Sequence, residues 1–133
     1  MPVEMVNTCI QMLHAEVIKT LDITIDQYIE TLAGWDIQPI IINNEHIGAS
    51  MMQGHEIHVA LQAGVLPLGR QIIRQVLDAN IIKHGYLTTT SDKDDKTCRL
   101  LHRLGFYCTG EQDGFLTHRI DKTKLQGIVC HQQ

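Results

Sequence analysis

"LLHRLGFYCTG", residues 100–110, packs a leucine-rich run, a glycine, an aromatic pair and a turn into one short stretch. Cys98, Leu101 and Leu104 fall on one side of a helix, with Leu100 beside them. Gly105 follows the last of them. A residue without Cβ ends a helix in a left-handed turn at little steric cost, so the helix is expected to stop there. Phe106 then opens an extended segment. "SDKDD", residues 91–95, supplies the helix start, with carboxylates where the helix dipole favours them. "FYCT" and "FLTHRI" flank "GEQDG", whose Asp-Gly pair predicts a hairpin.

Upstream, "YLTTT" (86–90) is β-branched and reads as a strand. Before it, Ile72, Ile73, Val76, Leu77 and Ile81 make a broad helical face ending at His84-Gly85. "QAGVLPLGR" (62–70) is the loop leading into that helix. Three short apolar runs precede the loop: "IQPIII" (37–42), "IGASMM" (47–52) and "HEIHVAL" (55–61). They are joined by "NNEH" and "QG", which predicts an antiparallel meander. Gly48, inside the second run, marks a close approach of another group. The chain opens with two helices. Val3, Val6, Ile10, Leu13 and Val17 are spaced as one amphipathic face. Thr24 and Gln27 form a capping box ahead of Ile25, Tyr28, Ile29 and Leu32, and Gly34 stops that second helix.

The resulting order is ααβββαβαββ, and its β-α-β crossover predicts parallel neighbours within a mixed sheet. A single domain of residues 1–133 is expected. Its parts are helices over 1–34, the meander over 35–62, a βαβαββ half over 63–120 and a tail over 121–133.

The composition narrows the function classes. Apolar residues make up 44% and charged residues 20%, enough for a packed core. A net charge of −4 and an aromatic content of 5% argue against a nucleic-acid binder. No apolar run reaches the ~18 residues of a membrane span. The N-terminus has no basic start followed by an apolar stretch, so no signal peptide is expected and the cytoplasm is the expected location. Cys9, Cys98, Cys108 and Cys130 lack metal-type spacing and read as reduced thiols, Cys98 and Cys108 as small core residues. The eight histidines do not cluster, and no metal site is expected.

This order, together with "CRLLHRLGFYCTG", resembles the GNAT (Gcn5-related N-acetyltransferase) superfamily. Its members carry a helix written roughly N-x-x-A-x-x-L-Y-x-K-x-G-F before a strand and a hairpin. Asp94 stands at the Asn position, Thr97 at the Ala position and Leu101 at the Tyr position, with Leu104, Gly105 and Phe106 following. The resemblance covers roughly residues 35–120. It implies an α/β fold with a GNAT-like mixed central sheet flanked by helices. It also implies that the third meander strand parts from the next parallel strand, leaving a notch for acetyl-CoA. The family's R/Q-G-x-G-x-G/A loop offers backbone N–H groups to the pyrophosphate at a helix start. Here that stretch reads Leu68-Gly69-Arg70-Gln71-Ile72-Ile73, with one glycine kept and Gln71 and Ile73 in place of others. The residues implied for the cofactor are Val59, Leu61, Gly69, Arg70, Gln71, Ile72, Arg74 and Asp94. Arg70 and Arg74 could meet phosphates as charges. Glu56 on the third meander strand, and His58 two residues on and therefore on the same face, are the implied base candidates. Leu101 cannot protonate a leaving thiolate as the family's tyrosine does.

Two functions follow. In the first, acetyl-CoA gives its acetyl group to an amine on a small molecule or protein, with Glu56 or His58 as base. In the second, the fold persists without catalysis and serves assembly. "EIHVAL … LP" and "LTT … LGF" resemble compact GNAT-like head-assembly proteins of tailed bacteriophages. That reading implies phage structural partners, self-association and the host cytoplasm. The lost glycines and Leu101 favour the second function; the Glu56–His58 pair favours the first.

Overall fold

A computed structural model describes residues 2–19, 21–62, 69–93 and 95–121. The elements follow the expected order: α1 Val3–Val17, α2 Ile25–Glu30, β1 Asp36–Ile42, β2 Glu45–Gln53, β3 Glu56–Leu61, α3 Gly69–His84, β4 Tyr86–Ser91, α4 Asp95–Leu104, β5 Tyr107–Gln112 and β6 Phe115–Asp121. The strands form one mixed sheet in the order β1-β2-β3-β4-β6-β5. The chain separates into two compact units, residues 1–69 and residues from 70 onward.

In the first unit, α1 buries Cys9, Ile10 and Leu13, its 3-4 stripe, over the meander. Val3 heads the same stripe but is 75% exposed, because it sits at the helix end with nothing to cover it. The capping box of α2 forms: the Thr24 hydroxyl accepts from the Gln27 amide (3.1 Å) and the Gln27 side chain accepts from the Thr24 amide (2.9 Å). Such a cap contributes about 1 kcal/mol. Tyr28 and Leu32 enter the core, whereas Ile29 turns outward. β1 and β2 turn on Asn43 and Asn44 alone, both at positive φ (53° and 67°), as a two-residue hairpin of primed type requires. Glu45 and His46 therefore belong to β2, not to the turn. β2 and β3 turn on Gly54 and His55, so His55 lies outside the strand.

The core of this unit pairs Ala49, Met51 and Ala60 of the sheet with Cys9, Ile10, Leu13, Tyr28 and Leu32 of the helices. Gly48 is the close approach that its place in the strand predicted. A Cβ there would stand 2.4 Å from the Ala60 carbonyl oxygen and 2.8 Å from a Leu61 methyl.

In the second unit, β6 lies between β4 and β5, antiparallel to both. Leu87, Thr89, Ser91, His118 and Ile120 form one buried sheet face. The opening stretch folds as its sequence indicates. At the end of α4, the Gly105 amide donates to His102 and the Phe106 amide donates to Leu101, both at 3.0 Å. This paired return is the Schellman motif, with Gly105 at φ +106°. Leu104 and Phe106 bracket the turn and are both buried.

Cys108 departs from expectation. It is exposed, as is every residue of β5, because β5 is the sheet's terminal strand. Gly114 and Asp113 make the closing hairpin, both at positive φ. Residues 122–133, including Cys130, lie outside the described residues.

Candidate functional site

β3 determines where the candidate catalytic groups point. In its register Glu56 faces Gln53, His58 faces Met51 and Ala60 faces Ala49. Alternation places Glu56, His58 and Ala60 on one face, the face that α1 and α2 cover. Glu56 and His58, two residues apart, meet directly: His58 Nε2 lies 2.6 Å from Glu56 Oε2. An ionised carboxylate only accepts, so the imidazole donates through Nε2–H. The side chains are 31% and 41% exposed, so the pair remains open to solvent.

Trp35 lies beside the imidazole. Its ring centroid is 5.7 Å from that of His58, tilted by 49°. Trp35 itself packs on the first unit's core. Nothing in the sequence marks Trp35 for this contact, since it stands at the junction of α2 and β1, 23 residues before His58. Tyr28, on the apolar face of α2, lies in the core, its hydroxyl donating to Met51 Sδ at 3.3 Å. Burial raises its pKa.

The backbone of Val59 and Leu61 has a defined direction. The Gln62 amide donates to the Ile47 carbonyl at 2.7 Å, which makes residues 62 and 47 a hydrogen-bonded pair. By alternation, Leu61 with Gly48 and Val59 with Ser50 are non-hydrogen-bonded pairs. The peptide groups of Val59 and Leu61 therefore point to the β3 edge away from β2.

Gly69, Arg70, Gln71 and Ile72 are already helical, forming the first turn of α3 rather than a loop. Their early N–H groups are those a helix leaves without intrahelical partners. Ile72 is buried at 7% exposure, so its side chain belongs to packing. Arg70 and Gln71 are exposed and Arg74 is half-buried. Asp94 and the preceding loop, residues 63–68, lie outside the described residues.

Tyr86 and Tyr107 are both engaged. Tyr107 donates to Asp121 Oδ2 at 2.6 Å, and that hydrogen bond raises its pKa. Tyr86 carries the Arg119 guanidinium 3.9 Å above its ring. Both belong to a surface network completed by Arg119 Nε donating to Asp121 (2.8 Å).

A second polar cluster joins β4, β6 and α4. Ser91 Oγ lies 2.8 Å from His118 Nε2 and donates to the Asp92 carbonyl at 2.9 Å. Cys98 Sγ approaches the same carbonyl at 3.8 Å. Desolvation lowers the pKa of His118. Only the alternation of β4 and β6 hinted that these side chains share a face. Among the described residues no three potential metal ligands gather, and no helix is long and apolar enough to cross a membrane.

With this geometry in place, the fold has clear counterparts: the chain has the mixed α/β fold of GNAT acetyltransferases. A spermidine N-acetyltransferase SpeG chimera from Vibrio cholerae and hSSAT superposes with a TM-score of 0.61 at 13% identity, covering 77% of this chain and 80% of that one. The Campylobacter jejuni N-acetyltransferase PseH, in complex with acetyl coenzyme A, gives 0.59 at 12% identity over 74% and 77%. AAC(6')-Ib in complex with ribostamycin and coenzyme A gives 0.61 at 16% identity over 77% and 76%. No protein-family model and no curated protein sequence matches the chain. Nothing in these similarities bears on bacteriophage assembly, and that expectation stands without support.

Proposed function

We propose that this chain is an acetyl-CoA-dependent N-acetyltransferase acting on an amine. The observation that carries the reading is the Glu56–His58 pair, joined at 2.6 Å on β3 of a GNAT fold and partly open to solvent. A proton acceptor at that place is what attack by an amine on a thioester requires, since a protonated amine has no lone pair to offer.

The residues present suit acetyl-CoA in two respects. Val59 and Leu61 present peptide groups on the β3 edge that faces away from β2 and borders β4 in the strand order; an N–H there that the ladder leaves free can polarise a carbonyl. The first turn of α3 offers amides from Gly69 onward, with Arg70 and Arg74 supplying positive charge for phosphates. They depart in two others: Gln71 and Ile73 carry Cβ atoms where the family loop has glycines, and Leu101 offers no proton. We therefore assign Gly69, Arg70, Gln71, Ile72 and Arg74 to phosphate contact and Val59 and Leu61 to the thioester arm. Asp94 is assigned as a neighbouring polar group at the family's Asn position. When bound, acetyl-CoA supplies a thioester, and an N–C bond to the acceptor replaces its C–S bond as the thiol leaves. The acceptor class is taken from the similar structures, whose names carry spermidine and ribostamycin.

The test is amine-dependent thiol release from acetyl-CoA, run across polyamines, aminoglycosides and amino sugars. Release matched by acetylated amine is the expected result, falling at least ~10²-fold when the base is removed. Release that no amine accelerates, or none at all, would overturn the assignment.

A further inference from the structure

Resting on that acyl-transfer reading, we infer that the proton-accepting atom is His58 Nδ1, with Glu56 and Trp35 as positioning residues that act through the imidazole. The direction of one hydrogen bond carries the argument. Because Nε2 is committed as a donor to Glu56 Oε2 at 2.6 Å, the neutral ring keeps its lone pair on Nδ1. Among the described residues Nδ1 takes no hydrogen bond, so that lone pair stays available. A carboxylate that receives Nε2–H fixes the tautomer and balances the charge of the imidazolium that forms. The same division of labour recurs wherever an acid orients a histidine base.

Trp35 completes the arrangement. A histidine on a half-open strand turns freely about χ2 unless something holds its plane. The indole, itself packed on the core, lies 5.7 Å from the ring centroid and blocks one side of it. Glu56 is 41% exposed and hydrogen-bonds the histidine. As the attacking amine forms its N–C bond, its surplus proton passes to Nδ1. The proton is then given up as the C–S bond breaks and the thiolate leaves as thiol, so that amine plus thioester gives amide plus thiol with no proton left over.

The test uses the full chain, labelled with 15N in its histidine rings, at pH 8. Long-range proton–nitrogen spectra identify which ring nitrogen carries the proton. Wild type and Trp35→Phe should show His58 protonated at Nε2. Glu56→Leu and Trp35→Ala should show mixed tautomers, with wild-type amide spectra elsewhere certifying the fold. A wild-type ring protonated at Nδ1, or a Glu56→Leu ring unchanged from wild type, would overturn the arrangement. In turnover, His58→Phe should lose ~10²-fold or more in kcat with acetyl-CoA binding unchanged. Glu56→Gln should lose less, since its amide oxygen still accepts from Nε2–H. A His58→Phe variant faster than Glu56→Gln would return the base to the carboxylate. If the wild type transfers nothing, the function reading falls alone, and the ring-nitrogen result still upholds or overturns the arrangement.

Discussion

The amide of Phe106 donates to the carbonyl of Leu101 across the end of α4, at 3.0 Å. That bond forms only because Gly105 between them adopts φ +106°. It turns the chain from helix to strand within one residue and sets Phe106 into the core at 3% exposure. Replacing Gly105 with valine forces a β-branched residue into a region it resists, at a cost of about 1–3 kcal/mol. Urea unfolding should show that loss. An unchanged midpoint would mean that the turn does not depend on this glycine.

Gly48 offers a separate test, because the obstacle there is space and not backbone angle. An added methyl would press on the Ala60 carbonyl oxygen at 2.4 Å. β3 must then shift, and with it the peptide groups of Val59 and Leu61. Gly48→Ala should destabilise by about 1–3 kcal/mol and weaken acetyl-CoA binding in the same variant. Wild-type stability together with wild-type affinity would contradict the close approach.

His118 predicts a pH dependence. The Ser91 hydroxyl gives its proton to the Asp92 carbonyl, so it accepts from His118 Nε2–H. Burial lowers the pKa of this imidazole from its usual 6.5. The unfolded chain therefore takes up a proton that the folded chain refuses. Stability from this group is full above pH 6.5 and is lost as pH falls from there through the lower folded-state value. In His118→Gln that segment of the stability–pH curve should flatten. A slope equal to wild type below pH 6.5 would assign the effect to other groups.

Local chemistry explains what was legible from the residues alone. The Thr24–Gln27 box, the Asp113-Gly114 hairpin and the Leu104-Gly105-Phe106 exit all act over a few neighbouring residues. Their elements end where those signals stand, whereas the NNEH turn is shorter than its sequence indicates, only Asn43-Asn44. The Glu56–His58 contact was foreseeable from a spacing of two on a strand. The Trp35–His58 and Ser91–His118 contacts were not, since they join residues 23 and 27 apart through packing that no periodicity encodes. Cys108 misled for a related reason. Its alternation marks a sheet face, but nothing in the sequence says that its strand is the sheet's last.

Calorimetric titration of acetyl-CoA into the full chain reads the cofactor site without need of an acceptor. Saturable one-to-one binding with a Kd well below 1 mM, weakened in an Arg70→Ala/Arg74→Ala variant, is the expected result. Binding weaker than about 1 mM, which is only ~4 kcal/mol of free energy, would contradict it.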